Sequence, residues 1–342
     1  MSPLLGAIKG AKSRIDIVVF RFDRAEIEAA LKAAVVRGVS VNALIAYANR
    51  GGEKNLRKLE MRLLDAGVTV SRTSSDLSKY HDKLILIDNR ELYVLSFNFT
   101  YLDIDHSRGF GIVTRKQKFV QEARKLIEAD SNRHSYEAGL DTFVVSPVNA
   151  RKQLAAFIRG ATKELLIYDP NIADAEMLRL LHDKAKNGVA VHVIGTMSGK
   201  HSLVEVRKPT FRLHTRTILR DRKSAFLGSQ SLRQAELDNR REVGVIVADS
   251  KTVAGLLKTF EADWALDEAP TPMRIPAKKL KKSLKAAMEP LSPILTEVVE
   301  EVVASRKGEP MDNDEVKETV QKAVKQAVKE QVEEILSKTT GK

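Results

Sequence analysis

The stretch KYHDKLILIDNRELYVLSFNFT, residues 79–100, places polar side chains at the ends of two apolar runs. Side chains alternate between the faces of a strand, so His81 and Lys83 point to one side of the first predicted strand. A short turn leads to a second apolar run, which ends with Ser96 and Asn98, again on one face. Two cationic or titratable groups and two neutral donors are thus predicted to converge, an arrangement suited to binding an anionic oxygen.

The chain contains an internal repeat. The segment AIKGAKSRIDIVVF (7–20) resembles FIRGATKELLIYDP (157–170), and VVRGVSVNALI (35–45) resembles AKNGVAVHVIG (185–195), both at an offset of 150. Each copy reads as helix, strand, amphipathic helix ending near a glycine, and strand. Such βαβ units predict an α/β fold with a mostly parallel sheet and helices on its faces.

The opening stretch is itself repeated. FRLHTRTILRDRKSAFLGSQS (211–231) matches it at an offset of 133, and an additional helix in the first copy, GEKNLRKLEMRLLDAG, accounts for the shorter spacing. The body is therefore predicted to consist of two tandem halves, residues 1–140 and 141–266.

The remaining residues predict a different organisation. DEAPTPMRIPAKK (267–279) reads as a Pro-rich linker, and 280–342 reads as a helical C-terminal tail with a stripe of valines. This stripe favours packing on the body or self-association of the chain. The basic run KKLKKSLK (278–285) is a candidate for peripheral contact with an acidic membrane.

Composition limits the chemistry that the chain can perform. The absence of cysteine excludes disulfides, thiolate metal sites and cysteine nucleophiles. No stretch reaches the ~20 apolar residues of a transmembrane helix, and the N-terminus does not read as a signal peptide. A cytoplasmic protein is predicted, with peripheral membrane contact as an option.

The charge is unevenly distributed. The formal net charge is +12, but residues 277–342 carry 13 Lys and Arg against 12 Asp and Glu. Residues 1–276 carry 44 against 33, a net charge of +11. This excess favours an anionic partner, such as nucleic acid, an acidic membrane or a phosphorylated molecule.

The spacing H-x-K-x4-D, followed by x7-S-x-N, resembles the HKD signature of the phospholipase D superfamily. Both copies carry it: His81, Lys83, Asp88, Ser96 and Asn98 in the first, and His214, Arg216, Asp221, Ser229 and Ser231 in the second. The second copy has Arg in place of Lys and Ser in place of Asn, and the first has Leu95 where the family usually has Gly.

The resemblance implies two α/β/α halves related by a pseudo-twofold axis, with both motif histidines facing one phosphodiester. One histidine attacks phosphorus to form a phosphohistidine, and the other protonates the leaving oxygen and then activates water or an alcohol. Lys and Arg balance the phosphoryl charge, and Ser and Asn act as neutral donors. Neither a metal nor another cofactor is implied.

Family members commonly place a carboxylate on a later strand, at a fixed offset after the motif histidine, to orient its ring. Counted from His214, this position is Glu242; counted from His81 it is Gly109, and an aspartate of the stretch DID (103–105) is the candidate substitute. We therefore interpret Glu242 as the partner of His214. The corresponding hypothesis makes His214 the nucleophile and His81 the general acid.

Three functions remain open on the sequence alone. The first is hydrolysis or transfer at a phospholipid head group, which is narrowly favoured. The second is a metal-independent nuclease, which the stretch SFNFT and the basic body support, although aromatic residues make up only 5% of the chain. The third is a phosphate- or nucleic-acid-binding module with weak activity or none.

Overall fold

The computed structural model describes residues 2–47, 53–199 and 202–266. The predicted Pro-rich linker (267–279) and helical tail (280–342) lie outside the described residues, so the predictions made for them remain predictions.

The first half consists of five helices and seven strands within the described residues. The helices are α1 (Ser2–Gly10), α2 (Ala25–Val36), α3 (Glu53–Leu64), α4 (Tyr101–Asp105) and α5 (Gln117–Asn132). The strands are β1 (Arg14–Val19), β2 (Ser40–Ile45), β3 (Thr69–Arg72), β4 (Lys79–Tyr80), β5 (Leu84–Ile87), β6 (Glu91–Leu95) and β7 (Gly111–Thr114). The predicted additional helix of this half is α3.

The second half repeats most of this order, but among the described residues it begins with an additional strand and has no counterpart of α3 or β4. Its helices are α6 (Ala150–Arg159), α7 (Ala175–Lys186), α8 (Gln234–Asp238) and α9 (Ser250–Leu266). Its strands are β8 (Phe143–Ser146), β9 (Glu164–Ile172), β10 (Ala190–Met197), β11 (Glu205–Arg207), β12 (Arg216–Arg220), β13 (Ser224–Gly228) and β14 (Arg240–Val247). Phe260 of α9 is buried.

Both sheets are mixed, and the prediction of a mostly parallel sheet was wrong. In the first half the strand order is β3-β2-β1-β5-β6-β7, in which only β3, β2 and β1 are parallel neighbours. The pairs β1–β5, β5–β6 and β6–β7 are antiparallel. The strands β5 and β6 are joined by a short turn, and so tight a connection permits only antiparallel pairing.

The two halves are joined by backbone pairing next to their motif histidines. In the second half the order is β11-β10-β9-β12-β13-β14, and β4 of the first half adds to β14 in parallel. The equivalent contact on the other side is a parallel bridge between Arg108 and Leu213. Each segment that carries a motif histidine is therefore paired with backbone of the opposite half.

Three apolar cores support this arrangement. One lies within the first half and one within the second. The third contains residues of both halves, among them Val18, Leu126, Tyr168 and Phe260. Burial of this shared core stabilises the two halves against each other and so positions the residues at their junction.

None of the helices in the described part of the chain combines the length and the apolar character needed to cross a membrane.

Candidate active site

The two motif histidines line the same cavity. Although they belong to different halves of the chain, His81 and His214 both line a cavity of about 350 Å³ at the junction of the halves. Other residues that line it are Phe20, Arg21, Lys79, Asn98, Asp103 and Arg212. The structure thus contains the predicted convergence of the two motif histidines on one site.

His81 is oriented by a carboxylate from the opposite half. The His81 Nδ1 lies 2.9 Å from Glu242 Oε2 and 3.0 Å from Oε1, and the Glu242 side chain is fully buried. The interpretation of Glu242 as the partner of His214 was therefore wrong. The ring of Phe20 packs edge-on against the His81 imidazole, with ring centroids 4.6 Å apart, and so restricts the orientation of the imidazole.

Strand pairing explains why the carboxylate crosses the interface. The His81 amide donates to the Arg241 carbonyl at 2.8 Å, which places the next residue of that strand, Glu242, beside the ring. In the equivalent contact, the His214 amide donates to the Arg108 carbonyl at 3.0 Å, and the next residue is Gly109. Glycine cannot orient a ring, so the two histidines have different partners.

His214 is surrounded by two acceptors of the first half. Its Nδ1 lies 2.9 Å from the Ser96 carbonyl oxygen, and its Nε2 lies 3.3 Å from Asp103 Oδ2. Asp103 also accepts from Arg212 Nη1 at 2.6 Å and from Asn98 Nδ2 at 2.7 Å. The predicted substitute carboxylate of the stretch 103–105 thus lies beside His214 and not beside His81.

Lys83 and Arg216 occupy equivalent positions next to the histidines. The Lys83 ammonium donates to the carbonyl of His81, and Arg216 Nη1 donates to the carbonyl of His214 at 2.8 Å. Burial lowers the pKa of Lys83 to about 7, with Arg216 acting in the same direction and Glu242 opposing it. The two cations thus repel each other, and an anion near them relieves that repulsion, although neither side chain is among those that line the cavity.

The same environment keeps the imidazoles neutral. Burial, Lys83 and Arg216 hold the pKa of His81 well below its ordinary value. Burial and the same two cations lower the pKa of His214 to about 3, while Asp103 opposes the shift. Burial also raises the pKa of Glu242, and Lys83 opposes that shift.

Two of the predicted phosphate-binding hydroxyls are engaged by backbone. Ser96 Oγ accepts from the Phe110 amide at 3.0 Å, and Ser229 Oγ accepts from the Val243 amide at 3.2 Å. Both serines are fully buried, and neither lines the cavity. Their contacts join adjacent strands.

The residues that follow these serines differ between the halves. Asn98 lines the cavity beside Asp103, as described above. Its counterpart, Ser231, accepts from Arg216 Nε at 3.1 Å and so positions the guanidinium. Asn98 is thus the predicted neutral donor that lies at the cavity.

The aspartates of the two motifs lie away from the histidines and clamp turns. Asp88 accepts from the amides of Lys12, Ser13 and Arg14 at 2.9, 2.7 and 3.0 Å. Asp221 accepts from the amides of residues 162–164 at 3.0, 2.7 and 3.0 Å. The structure does not bring either carboxylate to the cavity, because each follows the far end of its motif strand.

Sequence reasoning missed several residues of the cavity. Lys79 and Arg212 each precede a motif histidine by two residues and therefore lie on the same strand face. That spacing is the signal that could have revealed them. Arg21 and Phe20 carry no comparable signal, because they reach the cavity from the end of β1.

The family is established by comparison with known proteins. The family model described as "Cardiolipin synthase, PLD-like domain" matches residues 4–131 and 154–264, the greater part of both halves. The chain belongs to the phospholipase D superfamily. The two matched ranges correspond to the two repeated α/β halves described above.

Three bacterial proteins are among the solved structures that match the chain, and the first two have similar folds. Polyphosphate kinase from Porphyromonas gingivalis is 19% identical, with a TM-score of 0.63, and the match covers 84% of this chain and 53% of that one. Phosphatidylserine synthase from Haemophilus influenzae is 12% identical, with a TM-score of 0.56, over 85% and 92% of the chains. The phospholipase D family member Nuc from Salmonella typhimurium is 25% identical, with a TM-score of 0.35, over 40% and 90%.

The chain spans about half the length, 53%, of the polyphosphate kinase that it matches. A search of curated protein sequences found no match.

Proposed function

We propose that the chain is a phospholipase D-type phosphodiesterase that acts through a phosphohistidine. The observation that carries this proposal is that His81 and His214, from different halves, line one cavity with Lys83 and Arg216 beside them. A nucleophile, an acid and two cations are the groups that in-line displacement at a phosphodiester requires.

His81 is the nucleophile in this proposal, which reverses the roles inferred from sequence. Donation from Nδ1–H to Glu242 leaves Nε2 as the unprotonated nitrogen. The buried carboxylate also stabilises the positive charge that develops on the ring when Nε2 attacks phosphorus. The lowered pKa of His81 keeps this nitrogen available at neutral pH.

His214 is the general acid, and its protonation is coupled to substrate binding. A neutral ring can donate to only one of its two acceptors, the Ser96 carbonyl and Asp103, whereas an imidazolium satisfies both. In the free protein, burial and the two cations Arg216 and Lys83 outweigh the effect of these acceptors and lower the pKa of His214. A phosphodiester anion between these cations offsets their repulsion and so raises the pKa of His214.

The reaction then proceeds in two balanced steps. His81 Nε2 forms a bond to phosphorus, the bond to the leaving oxygen breaks, and that oxygen takes the proton from His214. In the second step the now neutral His214 takes a proton from water or an alcohol, whose oxygen attacks phosphorus. The bond from phosphorus to His81 breaks, and the phosphoryl product leaves.

A phospholipid head group is the narrowly favoured substrate. The description of the family model that matches the chain names cardiolipin synthase, an enzyme of lipid synthesis. In addition, Leu102 lines the cavity with half of its surface exposed, and the neighbouring Tyr101 is 58% exposed. Exposed apolar side chains beside an anion site suit an amphiphile.

A metal-independent nuclease is the second candidate. Arg21, Lys79 and Arg212 line the cavity, and the body has a net charge of +11. Polyanionic strands bind to such surfaces with a strong dependence on salt. Phosphatidylglycerol vesicles and single-stranded DNA, each assayed in EDTA over a range of salt concentrations, discriminate the two substrates.

Trapping the intermediate tests the assigned roles. Bis(4-nitrophenyl) phosphate releases 4-nitrophenolate, which needs little help from an acid. We therefore expect His214→Ala to form the covalent intermediate and to resolve it slowly, so that the phosphoryl group accumulates on His81. A quench in alkaline detergent, followed by digestion and mass spectrometry without acid, identifies the modified peptide, because the bond from phosphorus to histidine is hydrolysed in acid; His81→Ala is the unreactive control. Modification of the peptide that contains His214 in the His81→Ala protein would reverse the roles, and turnover without any modified peptide would remove the covalent mechanism.

A further inference from the structure

The cavity contains a cation that the proposed chemistry does not use. Lys79 lines the cavity two residues before His81, on the same face of the strand. In the described part of the chain, its ammonium has no carboxylate within ion-pair distance and no hydrogen-bond acceptor. Burial, Arg240 and Arg21 lower its pKa.

The equivalent cation of the other half is already neutralised. Arg212 precedes His214 by two residues and donates to Asp103 at 2.6 Å and to Ser107. The counterpart of Asp103 at the offset of 133 is Glu236, but that carboxylate accepts from the Ser231 amide and from Arg240, at 2.7 and 3.2 Å. Of these two equivalent cations, Lys79 is therefore the one without an ion-pair partner among the described residues, and Glu242 and Glu236 act on it only from a longer distance.

Two further cations lie near Lys79, of which Arg240 is itself paired with Glu236 and lies 4.0 Å from Glu242. Arg240 is the direct partner of Lys79 in the pairing of β4 with β14, so the two side chains lie on one face. Arg21 lines the same cavity from the end of β1. Asp23 also lines the cavity, but its Oδ1 accepts from the Tyr101 amide at 2.7 Å. A group of like charges around a partly buried ammonium is stabilised by an anion.

We infer that Lys79 and Arg21 form a second phosphate subsite on the His81 side of the reactive phosphodiester. This inference rests on the proposed phosphodiesterase function. His81 follows Lys79 by two positions, which corresponds to about 6.6 Å along an extended chain. That distance fits a second phosphate that is connected through a sugar- or glycerol-sized spacer.

The position of the subsite assigns the second phosphate to one half of the substrate. In an in-line displacement the leaving oxygen departs opposite His81, toward His214. Lys79 lies on the side of His81, so it contacts the half that stays bonded to phosphorus in the intermediate. The substrate is therefore a phosphodiester whose retained half carries a further phosphate.

Two matched pairs of chromogenic substrates test this. The first pair is thymidine 5′-(4-nitrophenyl phosphate) with and without a 3′-phosphate, and the second is glycerol 1-(4-nitrophenyl phosphate) with and without a 3-phosphate. Leaving groups are identical, and the extra phosphate is on the retained half. A charge-assisted contact predicts a kcat/KM about tenfold higher for the phosphorylated member of at least one pair. A gain in the sugar pair alone indicates a nucleotide chain, and a gain in the glycerol pair alone indicates a lipid-derived diphosphate.

The ratio to compare is kcat/KM of the phosphorylated substrate divided by kcat/KM of its unphosphorylated partner. Lys79→Gln should bring this ratio close to 1. Lys223→Gln, a control at an exposed and distant residue, should leave it unchanged. Using the ratio removes any general effect of Lys79→Gln on turnover. Equal kcat/KM within both pairs in the parent protein, or a ratio that survives Lys79→Gln, would overturn the subsite.

Calorimetry separates the subsite from the proposed function. Thymidine 3′,5′-bisphosphate should bind about tenfold more tightly than thymidine 5′-monophosphate, and Lys79→Gln should abolish the difference. If this holds while no substrate is turned over, the phosphodiesterase proposal fails and the subsite stands. The same comparison is made with glycerol 1,3-bisphosphate and glycerol 1-phosphate, and if neither bisphosphate binds more tightly than its monophosphate, the subsite is wrong whatever the activity.

Discussion

His81 and Lys83 lie two residues apart, and burial lowers the pKa of both, with opposite consequences. A neutral His81 is the form that can attack phosphorus, so its lowered pKa favours the proposed chemistry. A neutral Lys83 cannot balance phosphoryl charge, and its pKa of about 7 leaves it only partly protonated at neutral pH in the free protein. Arg216, in the equivalent position of the second half, avoids this loss because a guanidinium stays charged.

The pKa of Lys83 predicts an alkaline limit to activity. Above pH 7 the free protein loses the Lys83 proton, so kcat/KM should fall as pH rises through about 7. Lys83→Arg should move the fall in kcat/KM to higher pH, since Arg216 shows that the equivalent position accepts a guanidinium. The measurement is the pH profile of kcat/KM, with Lys223→Arg as the control. An alkaline limb that does not move would assign it to another group.

Substitution of Glu242 is expected to slow the first chemical step specifically. Glu242→Gln removes the charge that fixes the His81 tautomer, so phosphohistidine formation should slow about a hundredfold or more. Rapid-quench measurement of intermediate formation tests this, with the exposed Glu261→Gln as the matched control. A rate that is unchanged would show that the carboxylate only supports the fold.

At the scale of elements, the turns after β5 and β12 are built alike. Asp88 and Asn89 have φ angles of 53° and 51°, and Asp221 and Arg222 have 51° and 56°. Both pairs are in the left-handed region, where two consecutive residues produce the turn twist that antiparallel strands favour. The aspartate then binds three amides at the start of β1 or β9. The third residue of the HKD motif thus stabilises the sheet that positions the first two.

Asp88 is therefore expected to affect stability and not chemistry. Asp88→Ala leaves three amides without their acceptor and should lower the free energy of unfolding by about 2 kcal/mol. Although burial opposes it, donation from these amides lowers the pKa of Asp88 to about 2. The stabilisation is complete above the unfolded pKa, near 4, and is lost as pH falls toward 2. Urea unfolding at pH 7 and pH 2.5 measures both effects.

Activity provides the check on this assignment. The folded Asp88→Ala protein should keep the kcat of the parent at temperatures well below its unfolding transition. The equivalent Asp221→Ala should behave in the same way. A loss of kcat without a loss of stability would restore the catalytic role suggested by the motif.

At the scale of the molecule, the site exists only where the halves meet. Glu242 of the second half orients His81 of the first, and Ser96 and Asp103 of the first contact His214 of the second. Beside this junction, Arg241 of the second half binds Asp130 of the first through two contacts at 2.9 and 3.0 Å. Both side chains are almost completely buried.

This ion pair predicts a non-additive effect of mutation. Arg241→Met leaves Asp130 as an unpaired buried charge and should cost about 3–5 kcal/mol of unfolding free energy. Asp130→Leu in the same chain should restore most of that loss, because a buried pair is often replaceable by apolar side chains. Denaturant unfolding of the two single variants and the double variant provides the cycle. Additive losses would show that the two groups are not energetically coupled.

The repeat and the motif spacing were enough to predict the two-half α/β fold, the additional helix of the first half and the convergence of His81 and His214. Those features depend on local patterns, namely strand alternation, helical periodicity and the offsets of 150 and 133. The proportion of parallel strands was predicted wrongly, since the hairpin pairs were overlooked. The 1–140 and 141–266 boundary stays a prediction.

The partners of the histidines were decided only by tertiary structure. Glu242 lies on the strand that follows the second motif in the chain, yet pairing of β4 with β14 places it at His81. Sequence counting locates a residue on its own strand, but it contains no information about which strand of the other half lies alongside. The same holds for Asp103 at His214 and for Arg21 in the cavity. Sequence alone therefore determined which chemical groups are present and on which strand faces they lie, whereas burial and packing between the halves decided which groups interact.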